Sequence, residues 1–367
     1  MLRTLAIENY RSLRHITVEL GGITVVTGPN GSGKSNVYRA LRLLADIVRD
    51  GALRSLAAEG GLRSALFAGE RPAGERVALR LGFASDALSY AIDLGLPQAA
   101  PFPLDPEVKS ELVWVGETLR PSAVIAERRS LSVRLRGDDD VLAVVPWRVR
   151  ASESLLASLA DPVAMPELWA LRESARGWRF YDHLRTDADA RSRQPGPATF
   201  TPVLAADGSD LPGALTTVLR VGDADRLQAA IGAAFDGAEV VAEEDDRGIV
   251  RVGLRQGARR FFDAAELSDG TLRFLLLATA LLSPRPPGLL VLNEPESSLH
   301  ASLLPELAAL IATAAESTQI VVVSHAPELV RALRPGAELI ELERTGAVSS
   351  VVGQLPFEGP RWSWPTR

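Results

Sequence analysis

The sequence predicts an α/β fold in which a mixed-sheet lobe carries a phosphate-binding loop, a helical lobe follows it, and a middle region is inserted between them. A glycine-rich loop, Gly28 to Ser35, lies between a β-branched strand pattern and a helical pattern. Two apolar strand patterns, at 288–294 and 320–325, end in polar residues, and an apolar helix pattern at 274–282 precedes both. Strands that alternate with helices in this way favour an α/β class.

The glycine-rich loop reads Gly-Pro-Asn-Gly-Ser-Gly-Lys-Ser and satisfies every fixed position of the pattern G-x-x-x-x-G-K-[ST]. In a strand–loop–helix context, backbone N–H groups and the helix N-terminus surround a phosphate. We expect Lys34 to reach the outer phosphates of a nucleotide and the Ser35 hydroxyl to bind Mg²⁺. Lys34 is one of only two lysines in the chain, the other being Lys109. The alternative interpretation, a glycine-rich turn before a helix, does not account for that lysine.

Composition limits the classes of protein to consider. The chain has 367 residues, a net charge of −6, 46% hydrophobic residues and no cysteine. The absence of cysteine excludes disulfides and thiolate metal sites, and the negative charge does not suit a chain that binds polyanions over its whole surface. The sequence contains no long uncharged apolar run and no signal-peptide pattern, so we expect a cytoplasmic protein that does not span a membrane.

Strand patterns recur along the chain. They occupy residues 2–8 and 16–27, a hairpin at 76–94, and a strand-rich run at 112–150. Residues 178–182 form a further strand pattern, and 239–255 predict two more.

The expected boundaries follow from these patterns. We expect a nucleotide-binding head formed by residues 1–50 and 178–367, with a helical lobe at about 205–283, and a strand-rich middle region at 51–177. Residues 207–235 predict a helix with Asp210 as its N-cap.

The apolar strand at 288–294 ends in Asn293 and Glu294. A buried parallel strand that delivers side chains to Mg²⁺ and to an attacking water has this form, and Glu294 is then the expected general base. Carboxylates at strand ends also occur as helix caps, so the strand alone does not decide between the two roles. The phosphate loop earlier in the chain favours the catalytic role.

The order of these motifs resembles the ABC-type ATPase heads of RecF and SMC proteins, and more closely the bacterial AAA_21 group of predicted ATPases. The phosphate loop is followed by a Ser-x-Gly helix start, an apolar strand with a glutamate, and an apolar strand ending in Ser324 and His325. The segments that carry the resemblance are residues 7–13, 28–36, 267–273, 290–300 and 324–325.

The resemblance implies a role for each matching residue. Glu294, His325 and Lys34 would be catalytic, and Ser35 and Asn293 would hold Mg²⁺. Ser268 and Gly270 would contact the γ-phosphate of ATP held by a second protomer, so that an ATP-induced homodimer sandwiches the nucleotide. The remaining ATP-binding residues would be Arg11, Asn30, Gly31, Ser32, Gly33, Lys34, Ser35 and Asn36.

The sequence departs from the pattern of these heads at three places, and one of them is His300, where these heads have an aspartate. The residue before Glu294 is Asn293 and not aspartate, and a neutral amide holds Mg²⁺ more weakly than a carboxylate does. We therefore expect slow turnover, or hydrolysis that depends on a partner. The usual glutamine before the helical lobe is also missing, and Asp182, His183 and Gln98 are the candidates to replace it.

Two functions from different classes remain open. The first is an ATP hydrolase coupled to DNA-related work, in repair or defence, with a separate effector such as a nuclease. The second is an ATP-dependent dimerisation switch without hydrolysis. A GTPase is disfavoured because neither lysine lies in an N-K-x-D motif.

Two further segments bear on partners. Arginines in the middle region, including Arg128, Arg134 and Arg136, form either a stripe for nucleic-acid phosphates or ordinary solvent-facing charge. The aromatic segment 356–365 either packs on the core or docks a partner.

Overall fold

The computed structural model describes residues 1–70, 74, 76–97, 101–137, 139–257, 260–354 and 359–367. The chain divides into two compact units. The first comprises Met1–Gly21, Val26–Trp178 and Ile340–Arg367, and the second comprises Gly22–Val25 and Arg179–Leu339. Each unit is therefore assembled from segments that are distant in sequence. The head and middle region expected from sequence divide the chain at other residues and stay a prediction.

The secondary structure of these residues is as follows. The strands, numbered β1 to β18 in chain order, are Leu2–Tyr10, Leu13–Glu19, Ile23–Thr27, Leu79–Ser85, Leu88–Gly95, Glu107–Val115, Val124–Arg129, Ser132–Arg136, Leu142–Val145, Arg179–Tyr181, Gly196–Pro197, Glu239–Glu244, Ile249–Gln256, Arg260–Asp263, Leu289–Asn293, Gln319–Val323, Glu338–Thr345 and Val348–Val351. The helices, numbered α1 to α10, are Lys34–Asp50, Ala52–Ala58, Leu62–Ala65, Leu155–Leu159, Pro166–Gly177, Leu211–Val221, Ala224–Ala234, Asp269–Leu281, Leu304–Ala314 and Pro327–Leu333.

The first unit contains a long sheet in the order β17-β18-β2-β1-β4-β5-β6-β7-β8-β9. Its neighbouring strands are antiparallel, except that β18 runs parallel to β2. The predicted hairpin at 76–94 is confirmed as β4 and β5. The strand-rich run at 112–150 is confirmed by β6 to β9.

Helix α1 packs in the first unit and begins at the phosphate loop. Its side chains Val37, Leu41, Leu44 and Val48 are buried at spacings of three or four residues, whereas arginines between them are exposed. That spacing produces one apolar face on a helix with 3.6 residues per turn. The helix ends at Asp50.

The second unit contains strands in the order β10-β15-β16-β3, and β15 runs parallel to both β10 and β16. A separate antiparallel sheet has the order β11-β13-β12, with β14 on β13. Helix α8 is buried on every side from Leu272 to Leu281, in the core of this unit. A helix that is buried on all sides is apolar on all sides, and for this reason the apolar run from 274 to 282 predicted it.

One helix prediction was wrong. The helix expected over 207–235 is two helices, α6 and α7, and Asp223 between them caps α7 by accepting a hydrogen bond from Arg226 N at 3.0 Å. Asp210 precedes α6 but does not cap it through its side chain, which instead accepts a hydrogen bond from Ala205 N at 2.8 Å. Pro212 lies in the first turn of α6 and has no N–H, which reduces the need for a cap.

The described end of the chain packs in the first unit. The rings of Trp362 and Trp114 are 5.7 Å apart, and those of Trp362 and Trp364 are 5.3 Å apart. Gly82 makes room for this packing, because a Cβ there would lie 2.4 Å from the Trp362 ring. The part of the aromatic segment at 356–358 lies outside the described residues.

None of the helices described is both long enough and apolar enough to cross a bilayer.

Candidate functional site

The phosphate loop takes its shape from glycines. Gly28, Gly31 and Gly33 have φ values of 142°, 79° and 105°, a region that side chains with a Cβ rarely adopt. Space is also limiting, since a Cβ at Gly28 would lie 2.2 Å from the carbonyl oxygen of Leu342, and one at Gly33 would lie 2.3 Å from Ser349 Oγ. The glycines at 28 and 33 are therefore required both by conformation and by close packing.

Helix α1 starts directly from this loop with its N-terminus set up for an anion. Gly33 provides no side-chain cap, and the first turn contains no acidic residue, whereas Arg49 lies in the last turn. The partial positive charge of a helix N-terminus attracts anions, and an acidic first turn would have cancelled that attraction.

Lys34 lies over the loop and is only 5% exposed. Its Nζ donates hydrogen bonds to the carbonyl oxygens of Gly28 at 2.8 Å and Pro29 at 2.9 Å. Ser32 Oγ is buried nearby without a hydrogen-bond partner among the described residues. An ammonium, a helix N-terminus and an unengaged hydroxyl on one small loop fit a nucleotide phosphate.

A hydroxyl network supports the loop from below. Ser12 Oγ and Ser349 Oγ are 2.7 Å apart, and Asn36 Nδ2 donates to Ser12 Oγ at 2.8 Å. Asn36 therefore holds the first turn of α1 to β18 and the β1–β2 turn. Ser35 and Asn30 are exposed on the loop.

Arg11 is held by its neighbours in the first unit. Its guanidinium forms an ion pair with Glu59, and its Nε donates to the Tyr10 hydroxyl at 3.1 Å. The Tyr10 hydroxyl donates to Glu59 Oε2 at 3.0 Å. Glu59, which the sequence analysis did not single out, thus sets the position of Arg11.

In the second unit, a strand-end cluster forms from Asp182, Asn293, Glu294, Glu296 and His325. Strands β15 and β16 run parallel in a register that pairs Asn293 with Val323, so Glu294 and Ser324 both emerge at the carboxyl edge. Polar side chains at that edge of a parallel sheet are brought together.

Glu294 turns out of β15 with an unusual backbone. Its φ is 47°, and its N–H donates to the carbonyl oxygen of Val323 at 2.8 Å. A left-handed conformation in a non-glycine residue costs about 1–3 kcal/mol and is most often kept at functional sites. Its carboxylate is 40% exposed, and Glu294 Oε1 lies 3.8 Å from His325 Nδ1. The structure therefore brings together two of the predicted catalytic residues, Glu294 and His325.

Asn293 is paired with Asp182. The register of β10 on β15 pairs Tyr181 with Leu292, so the next residue of each strand lies side by side. Asn293 Nδ2 donates to Asp182 Oδ1 at 2.7 Å, and this leaves Asn293 Oδ1 buried and unpartnered within the described part of the chain. A carboxylate only accepts hydrogen bonds, so the amide nitrogen faces Asp182 and the amide oxygen is left for a cation or water.

Of the three candidates for the missing glutamine, Asp182 and His183 lie at this edge, with His183 Nε2 3.2 Å from Asp182 Oδ2. Gln98 lies outside the described residues. No cluster of three or more His, Asp or Glu side chains able to hold a metal alone is found in the described ranges.

Ser268 caps α8. Its Oγ accepts a hydrogen bond from Thr271 N at 3.2 Å. Gly270 allows α8 to approach the turn at Ser298, because a Cβ there would lie 2.6 Å from the Ser298 carbonyl oxygen. Both residues thus have structural roles at the helix start, and Ser268 is exposed there.

Two buried arginines that the sequence analysis missed organise the same region. Arg193 donates to the carbonyl oxygen of Leu267 at 2.7 Å and pairs with Asp269 at 2.7 Å. Arg273 donates to the carbonyl oxygen of Glu294 at 3.1 Å, and burial lowers the pKa of Arg273. No local pattern distinguishes these arginines from surface ones, because their partners are distant in sequence.

An open cleft of about 420 Å³ lies at this edge of the second unit. Its walls include four carboxylates, an amide and a buried guanidinium, and they comprise Asp182, His183, Leu184, Arg185, Thr186, Asp187, Asp269, Arg273, Asn293, Glu294 and Ser297.

The predicted arginine stripe is mostly engaged within the first unit. Arg128 is fully buried and donates to the carbonyl oxygens of Ser130 and Arg150 at 2.7 and 2.9 Å, so it does not face solvent. Arg134 and Arg136 share one face of β8, but Arg134 pairs with Glu127 at 2.9 Å and Arg136 pairs with Asp140 at 3.1 Å.

Solved structures with this fold include SMC heads. The SMC head domain from Thermotoga maritima has a TM-score of 0.51 and 16% identity, with 96% of this chain and 98% of that chain covered. An Smc head with an extended coiled coil, bound to the C-terminal domain of ScpA, from Pyrococcus furiosus, has a TM-score of 0.55 and 10% identity over 96% and 95%. At this identity the likeness establishes the fold alone.

A short match connects the chain to a curated protein. The OLD nuclease of Thermus scotoductus (strain ATCC 700910 / SA-01) is 43% identical over 44 residues, which is 12% of this chain and 8% of that protein. The match thus spans a small part of the nuclease.

The family profile AAA_21, described as "AAA domain, putative AbiEii toxin, Type IV TA system", matches residues 23–331. That span contains the phosphate loop, the start of α8 and the strand-end cluster. The chain therefore belongs to the AAA_21 family.

Proposed function

We propose that the protein binds and hydrolyses ATP, with Glu294 as the general base. The observation that carries this proposal is the meeting of Glu294 and His325 at 3.8 Å, at the ends of adjacent parallel strands, in a chain that also has a complete phosphate loop. A purely structural strand end does not require the left-handed backbone of Glu294.

The phosphate loop supplies binding and charge. Gly31, Ser32 and Gly33 would present backbone N–H groups, and Lys34 would exchange its carbonyl partners for phosphate oxygens. By their motif roles, Ser35 and Asn293 would each be a Mg²⁺ ligand, and the ion when bound would neutralise phosphate charge. Asp182, hydrogen-bonded to Asn293, would contribute the carboxylate charge that Asn293 lacks.

At the strand-end cluster, Glu294 would orient a water and accept its proton. Its 40% exposure leaves the carboxylate accessible to that water. His325 would donate to the γ-phosphate from the adjacent strand end. The buried guanidinium of Arg273 would keep the Glu294 turn in place through the Glu294 carbonyl oxygen.

A second copy of the chain would complete the site. Ser268 is exposed at the N-terminus of α8, a helix of 13 residues whose dipole would point at the γ-phosphate of ATP bound to the other protomer. An ATP-induced homodimer with slow turnover follows from this arrangement and from the neutral Asn293.

The work coupled to ATP is proposed to involve DNA. Support comes from the short match to a nuclease and from the SMC-like fold. The paired arginines of β8 do not favour that strand as the DNA-binding surface. A separate effector such as a nuclease would act on the DNA.

A second candidate function is an ATP-dependent dimerisation switch without hydrolysis. Asn293 favours it, since the neutral amide weakens the Mg²⁺ site. The switch would use the same phosphate loop and the same Ser268 surface.

The test is ATP hydrolysis at increasing protein concentration, with dimerisation followed in the same samples. We expect specific activity to rise with concentration, and Glu294→Gln to lower kcat by about 10²–10⁴-fold while accumulating an ATP-bound dimer. Glu316→Gln, an exposed change in the same unit, is the control and should leave activity unchanged. Equal inactivity of wild type and Glu294→Gln, with ATP bound, would favour the switch.

A further inference from the structure

Glu296 is a buried carboxylate to which the motif-based roles assign nothing. It lies two residues after Glu294, and the residue is 8% exposed. Burying a carboxylate is costly unless hydrogen bonds or charges compensate for lost hydration. Its position in the strand-end cluster therefore calls for an account.

One oxygen of Glu296 gathers three donors from the segment that follows β16. Glu296 Oε1 accepts hydrogen bonds from Ser324 Oγ at 2.7 Å, from His325 N at 3.0 Å and from Ala326 N at 3.2 Å. These bonds hold the backbone that carries the His325 ring. They also satisfy donors at the start of α10, where Ala326 offers no side-chain cap.

The histidine ring itself lies between two carboxylates. His325 Nδ1 is 3.3 Å from Glu296 Oε1 and 3.8 Å from Glu294 Oε1. The Glu296 side chain is 7% exposed and that of Glu294 is 40% exposed. The buried carboxylate is thus the nearer and the better shielded of the two, so its field on the ring is less screened by water.

The second oxygen, Glu296 Oε2, is buried and has no hydrogen-bond partner in the ranges that the structure describes. A loop anchor that needed only to accept hydrogen bonds could be a neutral side chain. Burying a carboxylate with one unengaged oxygen costs more desolvation free energy than burying a neutral acceptor. The attraction between the carboxylate and an N–H of the adjacent His325 ring offsets part of that cost.

We propose that Glu296 is the positioning residue for His325. It holds the ring nitrogen Nδ1 on its own side, so that the opposite edge of the ring, with Nε2, faces away from Glu296 and toward the substrate. This inference rests on the proposed hydrolysis, in which His325 donates to the γ-phosphate. Glu296 itself touches neither substrate nor water in this role.

The kinetic test uses variants that separate charge from hydrogen bonding. Glu296→Gln retains an acceptor for the three donors and removes the charge, and Glu296→Ala removes both. We expect kcat to fall about tenfold in Glu296→Gln and about a hundredfold in Glu296→Ala, with the KM for ATP within about twofold of wild type. Glu316→Gln, whose side chain is 73% exposed, is the matched control.

The spectroscopic test does not depend on turnover. The chain contains four histidines, so ¹⁵N labelling of histidine yields a small set of ring signals, and His325→Gln identifies that of His325. Glu296→Gln should shift the ring signals of His325 and leave those of His15, His183 and His300 unchanged.

The outcomes are distinct for the two proposals. An unshifted His325 signal, or wild-type kcat in Glu296→Gln, would overturn the positioning role. If wild type hydrolyses no ATP, the hydrolase proposal fails, and the His325 signal still decides whether Glu296 sets the ring. A loss of folding in Glu296→Ala leaves the decision to Glu296→Gln.

Discussion

In the phosphate loop of the first unit, backbone conformation makes the site: glycines at positive φ, a helix start without a cap, and one lysine over the carbonyl oxygens. In the strand-end cluster of the second unit, side chains make it, through Asn293 with Asp182 and His325 with Glu294 and Glu296. The loop therefore depends on consecutive residues, whereas the cluster depends on the register of three parallel strands. Substitutions in the loop and substitutions in the cluster should therefore have different effects on ATP binding, hydrolysis and stability.

Among the changes that contrast the two regions, Lys34→Ala is expected to have the largest effect. Removing the ammonium should lower ATP hydrolysis by about 10³-fold and weaken ATP binding, because no other cation of the loop can replace it. ATP affinity by calorimetry and steady-state rates measure both effects.

The second lysine provides the matched control for that change. Lys109 lies in β6, outside the loop, and forms an ion pair with Glu107 at 2.7 Å. Lys109→Ala should therefore leave ATP affinity unchanged. If Lys34→Ala bound ATP as wild type does, the phosphate-loop assignment would be wrong.

The buried carboxyl of Glu111, in the first unit, tests whether buried charges of that unit affect the stability of the fold and not the binding of ATP. Burial raises the pKa of Glu111 to about 7, against the opposing effects of Arg128 and of hydrogen bonds from Tyr90 and Leu155. The pKa of Glu111 is higher in the folded protein than in the unfolded chain. The contribution of Glu111 to the free energy of unfolding is therefore fully present at low pH and is lost as pH rises from about 4.5 to about 7.

Glu111→Gln should remove that loss. The free energy of unfolding of the variant relative to wild type should increase by roughly 3 kcal/mol across this interval, while ATP affinity stays the same. Denaturant unfolding at several pH values measures it. A difference that does not change with pH would contradict the raised pKa.

The smallest expected effect concerns the exchange of Asn293 and Asp182. The double variant Asn293→Asp/Asp182→Asn should keep the hydrogen bond between the strands and return a carboxylate to β15. We expect the rate of hydrolysis to rise about tenfold, which corresponds to an activation free energy lower by about 1.4 kcal/mol. The Mg²⁺ concentration that gives half-maximal activity should fall.

The single variants are the controls for this exchange. Asn293→Asp alone places two carboxylates where a 2.7 Å hydrogen bond was, and should lower stability. If the double variant matched Asp182→Asn in rate and Mg²⁺ dependence, the neutral amide would not be what limits turnover.

Local patterns were sufficient for several elements. Helix α1, strands β15 and β16 and the apolar helix α8 were predicted because each is apolar on one face or throughout, which is visible in consecutive residues. The split between α6 and α7 was missed because Asp223 reads as an ordinary polar residue in a helical pattern until its cap to Arg226 N is seen.

Local sequence patterns did not predict the contacts between residues that are distant in the chain. Arg128 resembles Arg134 in the sequence, yet it is fully buried because carbonyl oxygens of two loops surround its guanidinium. Glu296 resembles a surface residue of a turn, yet a segment 28 residues later brings it three donors. Burial and pairing of charged groups depend on which strands become neighbours.

The sequence by itself determined the phosphate-loop motif and the order of the motifs, because conformational demands on glycine and the periodicity of apolar residues act over a few neighbouring positions. The catalytic roles of Glu294 and His325 stay predictions. The tertiary structure decided the partners: Asp182 for Asn293, Glu59 for Arg11, and Glu296 for His325. Those pairs form where parallel strands end side by side or a loop folds back, and that arrangement is a property of the folded chain.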